Sequence, residues 1–442
     1  MYAQDIRDYA ELIVSMVGID TGRRLEVRGE PVHWDLITEV AAAAYRRGAQ
    51  YVRVQSEHPG LYKARVENSA EEYLDYVPKQ LTLNNDVIIE EGWSLVAIKS
   101  PEDPDFFADI DTERNARMSQ AVEQAVMPLR RALQADRFPW LVVAAPTEKW
   151  GKKVLDSAGP VADSGATTGA GPAADSEGST GAGPAADSEG ATGAGPARDR
   201  LWAAMKPILR LDHDDPVGAW TEHSRRLKER AARLDELAVA SLHFEGPGTD
   251  LWVGIPETAL WVGGPAHTPG GVEFLPNLPT EEIFTAPDYR LTSGYVTVTR
   301  PVTVMDKIVE GAWFEFCDGK VVEFDATKNR DLLGEYLEMD EGAAYAGEIA
   351  LVDAASPIFQ AGHVFYNILF DENAACHIAL GGSYPGCLEG GDQLSDEEVA
   401  AVGGNVSFVH TDFMIGSESI HVTARTRDGG EQAILRAGRF VM

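Results

Sequence analysis

Residues 24–54 read RLEVRGEPVHWDLITEVAAAAYRRGAQYVRV, and this stretch indicates the fold class of the chain. Arg24–Val27 and Tyr51–Val54 are short extended runs, whereas Val32–Tyr45 between them is Ala-rich and places its apolar residues at helical spacing. Alternation of strand and helix is typical of layered folds in which helices cover a parallel sheet. The sequence therefore predicts an α/β fold with a mostly parallel sheet.

The alternation of helix and strand continues on both sides of this stretch. Ile6–Val17 is apolar at helical spacing, Glu113–Gln134 is a polar helical stretch, and Trp140–Ala145 is a strand-like run. These segments extend the α/β pattern over the first part of the chain.

The character of the sequence changes after a strongly charged helix predicted over Trp220–Leu237. The following residues are Gly-rich and β-prone, as in Leu251–Ile255, Gly294–Thr299 and Trp313–Phe316. We therefore expect two domains, an N-terminal α/β domain over residues 1–237 and a β-richer C-terminal domain over residues 238–442.

A segment of low complexity interrupts the first domain at residues 156–199. Nearly all of it is Gly, Ala, Ser, Thr, Pro, Asp or Glu, and GAGPAADSEG occurs at 169–178 and again at 181–190. The repeats offer only Ala and Pro as apolar positions, so burial cannot offset the entropy lost on ordering. We expect a disordered loop inserted between a strand and the last helix of the domain.

The composition excludes several classes of protein. Of 442 residues, 70 are Asp or Glu and 38 are Lys or Arg, which gives a formal net charge of −32 and disfavours nucleic acid or a membrane as partner. The sequence shows no secretion signal, no transmembrane span and no CxxC pair. We expect a cytoplasmic protein with reduced thiols, in which Cys376 and Cys387 are small buried residues.

Acidic and imidazole side chains concentrate in four segments of the second half, whereas the signatures GxSxG, GxxxxGK[ST] and HExxH are missing. The segments are 277–285 (NLPTEEIFT), 347–351 (GEIAL), 371–381 (DENAACHIALG) and 409–416 (VHTDFMIG). In the last segment His410 and Asp412 are two residues apart, so on a strand both side chains point to the same face. Such a pair is suited to chelate a cation.

Taken singly, these residues have ordinary interpretations, His377 as a satisfied core histidine and Glu348 as a charge at a strand edge. Together they favour a metal site, because burying an unpaired carboxylate costs several kcal/mol unless a cation compensates it. Mixed His, Asp and Glu ligands fit Zn²⁺, Co²⁺ or Mn²⁺, and five or six ligands exceed what one catalytic ion needs. The residues alone predict metal-assisted hydrolysis by two divalent ions.

At these segments the sequence resembles the M29 family of metallo-aminopeptidases, of the aminopeptidase T and aminopeptidase S type. The matching strings are NLPTEEIFTAP, GEIALV, LFDENAACHIALG with Tyr384 after it, and HTDFMIGS. The resemblance runs from the N-terminal helix to Val441, and the repeats fall outside the family pattern. It implies a two-domain α/β fold with the metal site in the C-terminal domain, and a homodimer that encloses its active sites in a cavity.

The resemblance also implies roles for individual residues. The ligands of the two divalent ions would be Glu282, Glu348, His377, His410 and Asp412. In the TEE string the second acidic residue, rather than Glu281, corresponds to the ligand. Glu348 would lie nearest the attacking water, as a bridging ligand or as the general base. Tyr384 would face the metals and donate a hydrogen bond to the oxyanion, or else pack in a Gly-rich turn.

The implied function is an aminopeptidase that removes the N-terminal residue of short peptides with a free amine, using metal-activated water. A metal-dependent hydrolase of another amide or ester is the alternative among enzymes, and blocked substrates distinguish the two. A non-catalytic metal-binding scaffold is the alternative from another class. The scaffold predicts a substitution at a ligand position, and the sequence has none.

Overall fold

The N-terminal part of the chain forms a five-stranded sheet in which all neighbouring strands are parallel. The computed structural model describes residues 3–157, 195–305 and 307–442. Numbered in chain order, the strands of this sheet are β1 (Arg24–Gly29), β2 (Tyr51–Ser56), β3 (Ser94–Ile98), β4 (Trp140–Val143) and β9 (Asn277–Leu278). Their order is β2-β1-β3-β4-β9, a doubly wound arrangement that binds ligands at the carboxyl ends of the strands. The predicted α/β class is confirmed.

Helices cover both faces of this sheet. The helices before residue 237 are α1 (Ala3–Met16), α2 (Trp34–Arg46), α3 (Pro59–Asn68), α4 (Lys79–Glu91), α5 (Thr112–Gln134), α6 (Glu148–Asp156), α7 (Ala197–Ile208) and α8 (Pro216–Glu236). Residues of α1, α2, α6 and α7 share one apolar core with the sheet. On the other face, Ile88 of α4 and Leu129 of α5 pack against Leu95 of β3. Coverage of both faces is typical of a parallel sheet, because the helices that connect parallel strands lie on its faces.

Residues 158–194, which make up most of the predicted disordered loop, lie outside the described residues. The disorder of this segment therefore stays a prediction. The ends of the segment 156–199 are helical and not loop, because Asp156 closes α6 and Ala197 begins α7. Ala197 is buried where the two helices meet, and a Cβ on Gly151 would lie 2.5 Å from its carbonyl oxygen. This tertiary packing, which local composition does not reveal, orders the ends of the segment.

The C-terminal part of the chain contains an eight-stranded antiparallel sheet. Its strands are β5 (Val239–Gly246), β6 (Thr249–Gly254), β11 (Thr292–Thr297), β14 (Trp313–Cys317), β15 (Lys320–Asp325), β19 (His421–Thr426), β20 (Glu431–Arg436) and β21 (Arg439–Phe440). The order is β15-β14-β11-β6-β5-β19-β20-β21. The β-rich region predicted from residue 238 onward therefore corresponds to this sheet and to a second, smaller one.

The smaller sheet has four antiparallel strands and shares an apolar core with the larger one. Its strands are β10 (Glu282–Thr285), β16 (Ala346–Val352), β17 (His377–Gly381) and β18 (His410–Met414), in the order β10-β16-β17-β18. Every residue of β16 is buried, as expected for a central strand. The four segments rich in acidic residues and histidine each contribute one strand to this sheet.

The remaining elements are short. They are β7 (Ala266–His267), β8 (Glu273–Phe274), β12 (Val302–Val304), β13 (Lys307–Val309), α9 (Arg330–Leu337), α10 (Pro357–Gln360), α11 (Ile368–Asp371) and α12 (Asp396–Ala401). After residue 238 the chain returns to the N-terminal core through β9 and through Ile358 and Phe370, so the boundary at 237 stays a prediction. Within the described ranges, no helix is long and apolar enough to cross a membrane.

Candidate metal centre

The five predicted ligands all lie on the four-stranded sheet. Glu282 begins β10, Glu348 is the third residue of β16, and His377 begins β17, while His410 and Asp412 are on β18. The sheet thus brings together residues as far apart as 130 positions in the chain.

The register of the strands places these side chains on one face. Glu348 is opposite Ala379, which is opposite Asp412, and His377 is opposite Ala350. Residues opposite each other, and residues two apart on one strand, share a face. The two alanines between the ligands therefore leave space above the sheet. The other face packs into the apolar core through Ile283, Ile349, Leu351, Ile378, Leu380 and Phe413.

Glu348 is shared by two groups of ligand atoms. Its Oε1 atom lies 3.4 Å from Nε2 of His377, and that nitrogen is 3.4 Å from Oε2 of Glu282. Its Oε2 atom lies 3.6 Å from Nε2 of His410, and that nitrogen is 3.4 Å from Oδ1 of Asp412. Within each group of three, the ligand atoms lie within 4.8 Å of one another. A carboxylate with one oxygen in each group has the arrangement of a ligand that bridges two ions.

Both histidines present Nε2 to the cluster because Nδ1 is bonded elsewhere. Nδ1 of His377 lies 3.1 Å from the carbonyl oxygen of Ala375, and Nδ1 of His410 lies 2.7 Å from that of Gly382. A carbonyl oxygen only accepts, so each Nδ1 carries a proton and donates it. Backbone carbonyls in this position fix the ring and direct the Nε2 lone pair toward a metal.

The charges of the cluster favour uptake of positive charge. Burial by itself lowers the pKa of His377, but Glu348, Glu282 and Asp412 outweigh burial and raise this pKa to about 10. At His410, burial likewise lowers the pKa, but Asp412 and Glu348 outweigh burial and raise this pKa to about 9. Burial raises the pKa of Glu282 to about 8, with His377 opposing and the other carboxylates adding to the effect. The cluster thus attracts either protons or a cation in their place.

The donor set fits a divalent cation. Oε2 of Glu282 is buried and has no hydrogen-bond partner among the described residues. A carboxylate oxygen away from water that makes no hydrogen bond is costly even with Nε2 of His377 at 3.4 Å, and the carboxylates of Glu348 and Asp412 increase the local negative charge. Carboxylate oxygen and imidazole nitrogen are ligands that Zn²⁺, Co²⁺ and Mn²⁺ accept. A divalent cation would supply the missing partner and balance the carboxylates.

The neighbouring residue Glu281 has a different environment. Its carboxylate lies 2.8 Å from the guanidinium of Arg210 and 3.3 Å from Nε2 of His223, and all three side chains are buried. The guanidinium also stacks over the ring of Trp220 at 4.1 Å. Glu281 is therefore neutralised by the protein itself, whereas Glu282 points to the cluster.

Tyr384 lies beside the ligands, at the wall of a cavity. The centroid of its ring is 4.8 Å from that of His410 and 6.2 Å from that of Phe284. The chain reaches this position through Gly381, whose φ of +114° favours glycine. Although Tyr384 is 40% exposed, the reduced hydration of its hydroxyl, followed by the carboxylate of Glu348, raises the pKa of Tyr384 well above its usual range. The phenol therefore keeps its proton and is able to donate a hydrogen bond.

Glu372 is a fourth carboxylate at the site, and the sequence analysis did not single it out. It begins a short 3₁₀ turn, Glu372–Ala374, that precedes β17, and it lines the same cavity as the ligands. Burial, followed by the carboxylates of Glu282 and Asp412, raises its pKa well above the usual range. It belongs to neither group of close ligand atoms. The string DEN at residues 371–373 indicates an acidic residue near the site, but spacing does not tell which of its two acidic residues faces the site.

A cavity of about 1940 Å³ opens onto the cluster. Its walls include Arg28, Ile98 and Val142, at the carboxyl ends of the parallel strands, and the ligand face of the four-stranded sheet. This is the position at which doubly wound sheets bind ligands. The volume exceeds the range typical of a single small molecule and is sufficient for a short peptide.

Three comparisons relate this chain to known proteins. A family model described as thermophilic metalloprotease (M29) matches residues 2–164 and 185–440. Aminopeptidase T of Thermus aquaticus is 35% identical over 442 residues, covering 100% of this chain and 99% of the relative. Aminopeptidase 2 of Geobacillus stearothermophilus is 34% identical over 440 residues, covering 99% and 98%. Wild-type AmpT from Thermus thermophilus, a solved structure, is similar with a TM-score of 0.85 and 33% identity over 100% of both chains.

Proposed function

The chain belongs to the M29 family of thermophilic metalloproteases and is a peptide hydrolase, and we propose that it is an aminopeptidase with two divalent ions in its cluster. The resemblance drawn from the four segments is confirmed by the family match. The observation that carries the two-ion proposal is the position of Glu348, whose two oxygens face separate groups of ligand atoms. Relatives named aminopeptidases, matched over nearly their full length, support release of the N-terminal residue.

The proposed ligands divide into two sets around Glu348. Glu282 and His377 would hold one ion together with Oε1 of Glu348, and His410 and Asp412 would hold the other together with Oε2. The mixture of carboxylates and imidazoles supports Zn²⁺, Co²⁺ or Mn²⁺. Such ions, when bound, lower the pKa of a water molecule and polarise the scissile carbonyl.

Glu372 is the side chain that we assign as general base. Both oxygens of Glu348 face histidines, which leaves it suited to bridge the ions and poorly placed to accept a proton. Glu372 lines the cavity without belonging to either ligand group. The positive charge of bound ions would lower the pKa of Glu372, which burial raises, and the ionised carboxylate would then take the proton of the attacking water and deliver it to the amine that leaves. Tyr384 would donate its hydroxyl proton in a hydrogen bond to the oxyanion, where the bond strengthens in the transition state.

We also propose that the protein is a homodimer. Four large apolar side chains between residues 61 and 83 are 60 to 70% exposed, namely Leu61, Tyr73, Tyr76 and Leu83. Several exposed large apolar side chains within one stretch of the sequence support a surface that a partner covers. Sedimentation of the purified protein tests this, and a monomer at micromolar concentration would exclude it.

A reducing compartment such as the cytoplasm is the proposed location. Its support is that Cys317, Cys376 and Cys387 form no disulfide bond in the structure.

The proposed reaction is tested with aminoacyl chromogenic amides, which release a coloured amine on hydrolysis. Activity should require added Zn²⁺, Co²⁺ or Mn²⁺, should disappear with a chelator, and should be absent for the same substrates with an acetylated amine. Tyr384→Phe should lower kcat about 10- to 100-fold with little change in KM, because it removes one transition-state hydrogen bond. Absence of hydrolysis with every metal would refute the proposal, and equal rates on acetylated substrates would favour a different amide hydrolase.

A further inference from the structure

Asn373 joins two separate segments of the metal centre. Its Oδ1 atom accepts a hydrogen bond of 2.7 Å from the backbone N–H of Glu281, the residue that precedes Glu282. Its Nδ2 atom donates to Oε1 of Glu372 at 3.3 Å and to the carbonyl oxygen of Leu369 at 3.1 Å. The side chain is fully buried, so these partners are not exchanged for water.

The sheet itself does not fix the position of Glu372. The five proposed ligands are held by the strands, whereas Glu372 lies in the 3₁₀ turn before β17 and outside the sheet ladder. The strand β16 also separates β10, which carries Glu282, from β17. Strand pairing therefore orients the ligands but leaves the carboxylate of Glu372 to other contacts, and the amide of Asn373 provides one of them.

The amide of Asn373 has a single favourable orientation. Its oxygen faces a backbone donor and its nitrogen faces a backbone acceptor and a carboxylate, so a flipped amide would lose all three hydrogen bonds. The partner segment is rigid as well, because His223 contacts the carbonyl oxygen of Thr280 at 2.9 Å and Arg210 holds the carboxylate of Glu281. Asn373 thus connects Glu372 to a fixed point.

We propose that Asn373 is a positioning residue that holds the carboxylate of Glu372 in place relative to the segment carrying Glu282. This inference rests on the proposed function, because Asn373 acts through the base and touches neither substrate nor metal. A displaced base remains present but is out of reach of the proton that it accepts. Misplacement by about 1 Å is known to cost about 100-fold in rate.

The test is a double-mutant cycle on Asn373 and Glu372. Asn373→Ala should lower kcat about 10- to 100-fold while KM and the number of bound ions stay unchanged. In the double variant with Glu372→Gln, kcat should stay within about twofold of Glu372→Gln alone, since the positioned group is already disabled. Ser356→Ala is the control, because Ser356 donates to the carbonyl oxygen of Asn373 without contacting Glu372, and its kcat should stay near wild type.

The outcomes separate this inference from the proposed function. If Asn373→Ala keeps wild-type kcat, loses metal, or multiplies the defect of Glu372→Gln, the positioning role is wrong although the enzyme assignment stands. If Asn373→Ala does not fold, Asn373→Asp replaces it, because aspartate retains the shape and the acceptor for Glu281 but lacks the amide donor. This variant should show the same loss of kcat, and wild-type turnover would overturn the inference. A wild-type protein without any aminopeptidase activity would instead refute the proposed function.

Discussion

Replacing Glu348 by glutamine tests the proposed bridge directly. Glutamine has nearly the volume of glutamate, so the packing of Ile349 and Leu351 on the other face of β16 should persist. The amide nitrogen has no lone pair for a metal, so one of the two groups falls from three ligand atoms to two. We expect the purified variant to retain its fold and to lose one of two ions.

The magnitude follows from the role of the shared carboxylate. The ions supply several kcal/mol of transition-state stabilisation, and the loss of one ion or its displacement removes most of that contribution. A loss of about 4 kcal/mol corresponds to about a 1000-fold decrease in kcat, because each tenfold step is about 1.4 kcal/mol. KM should change far less, since most of the peptide contacts the cavity and not Glu348.

The measurement combines metal analysis after gel filtration with hydrolysis of an aminoacyl chromogenic amide. Glu341→Gln is the matched control, because this exposed carboxylate lines the same cavity and belongs to neither ligand group. The control should keep both ions and wild-type kcat. A Glu348→Gln enzyme with two bound ions and kcat within tenfold of wild type would refute the bridging role.

Three further predictions follow from charge and packing. After removal of metal by a chelator, the pKa is about 10 for His377 and about 9 for His410, against 6.5 in the unfolded chain. The protonated histidines therefore stabilise the fold fully below pH 6.5, and this stability is lost as the pH rises through 9 to 10. The melting temperature of the chelated protein should therefore fall between pH 7 and pH 10, and a constant value would contradict the charge balance. Arg210→Met should lower the free energy of unfolding by about 3–5 kcal/mol, because it leaves the buried carboxylate of Glu281 without its guanidinium. Urea titration measures this, and a double variant with Glu281→Gln that recovers nothing would disprove the explanation. Deletion of residues 165–184, which the family model passes over, should leave metal content and melting temperature unchanged, and a large decrease in either would show that the repeats contribute to the fold.

The strands that carry the site were predictable because their pattern is local. GEIALV has one carboxylate before an apolar run, and both belong to β16, which is buried along its whole length. In HTDFM the polar residues His410 and Asp412 are two positions apart, and β18 places both on the ligand face while Phe413 packs in the core. A short apolar run and a spacing of two residues can both be read from the sequence itself, so these assignments needed no tertiary information.

Other features depend on contacts that the sequence does not show. The strand β9 has two residues, Asn277–Leu278, and joins the N-terminal sheet although it follows the first strands of the C-terminal part. A run this short has no detectable period. Glu372 is recognised as a site residue only from the structure, because its turn is folded against the cluster and places its carboxylate at the cavity wall. The ends of the low-complexity segment are ordered by packing of Ala197 against Gly151, which composition cannot reveal.

The distribution of the ligands over four strands has a consequence for how the protein matures. The proposed ions need oxygens and nitrogens from β10 through β18, and β18 lies close to the C-terminal end of the chain. A growing chain on the ribosome therefore lacks two of the five proposed ligands, His410 and Asp412, until β18 has been synthesised, and closure of so long a loop precedes any complete site. Ions that bind the finished sheet and not its precursors stabilise the completed fold by mass action. With the proposed ligands, metal loading would be a final step that depends on correct strand pairing, and peptide hydrolysis would begin only in molecules that have finished folding.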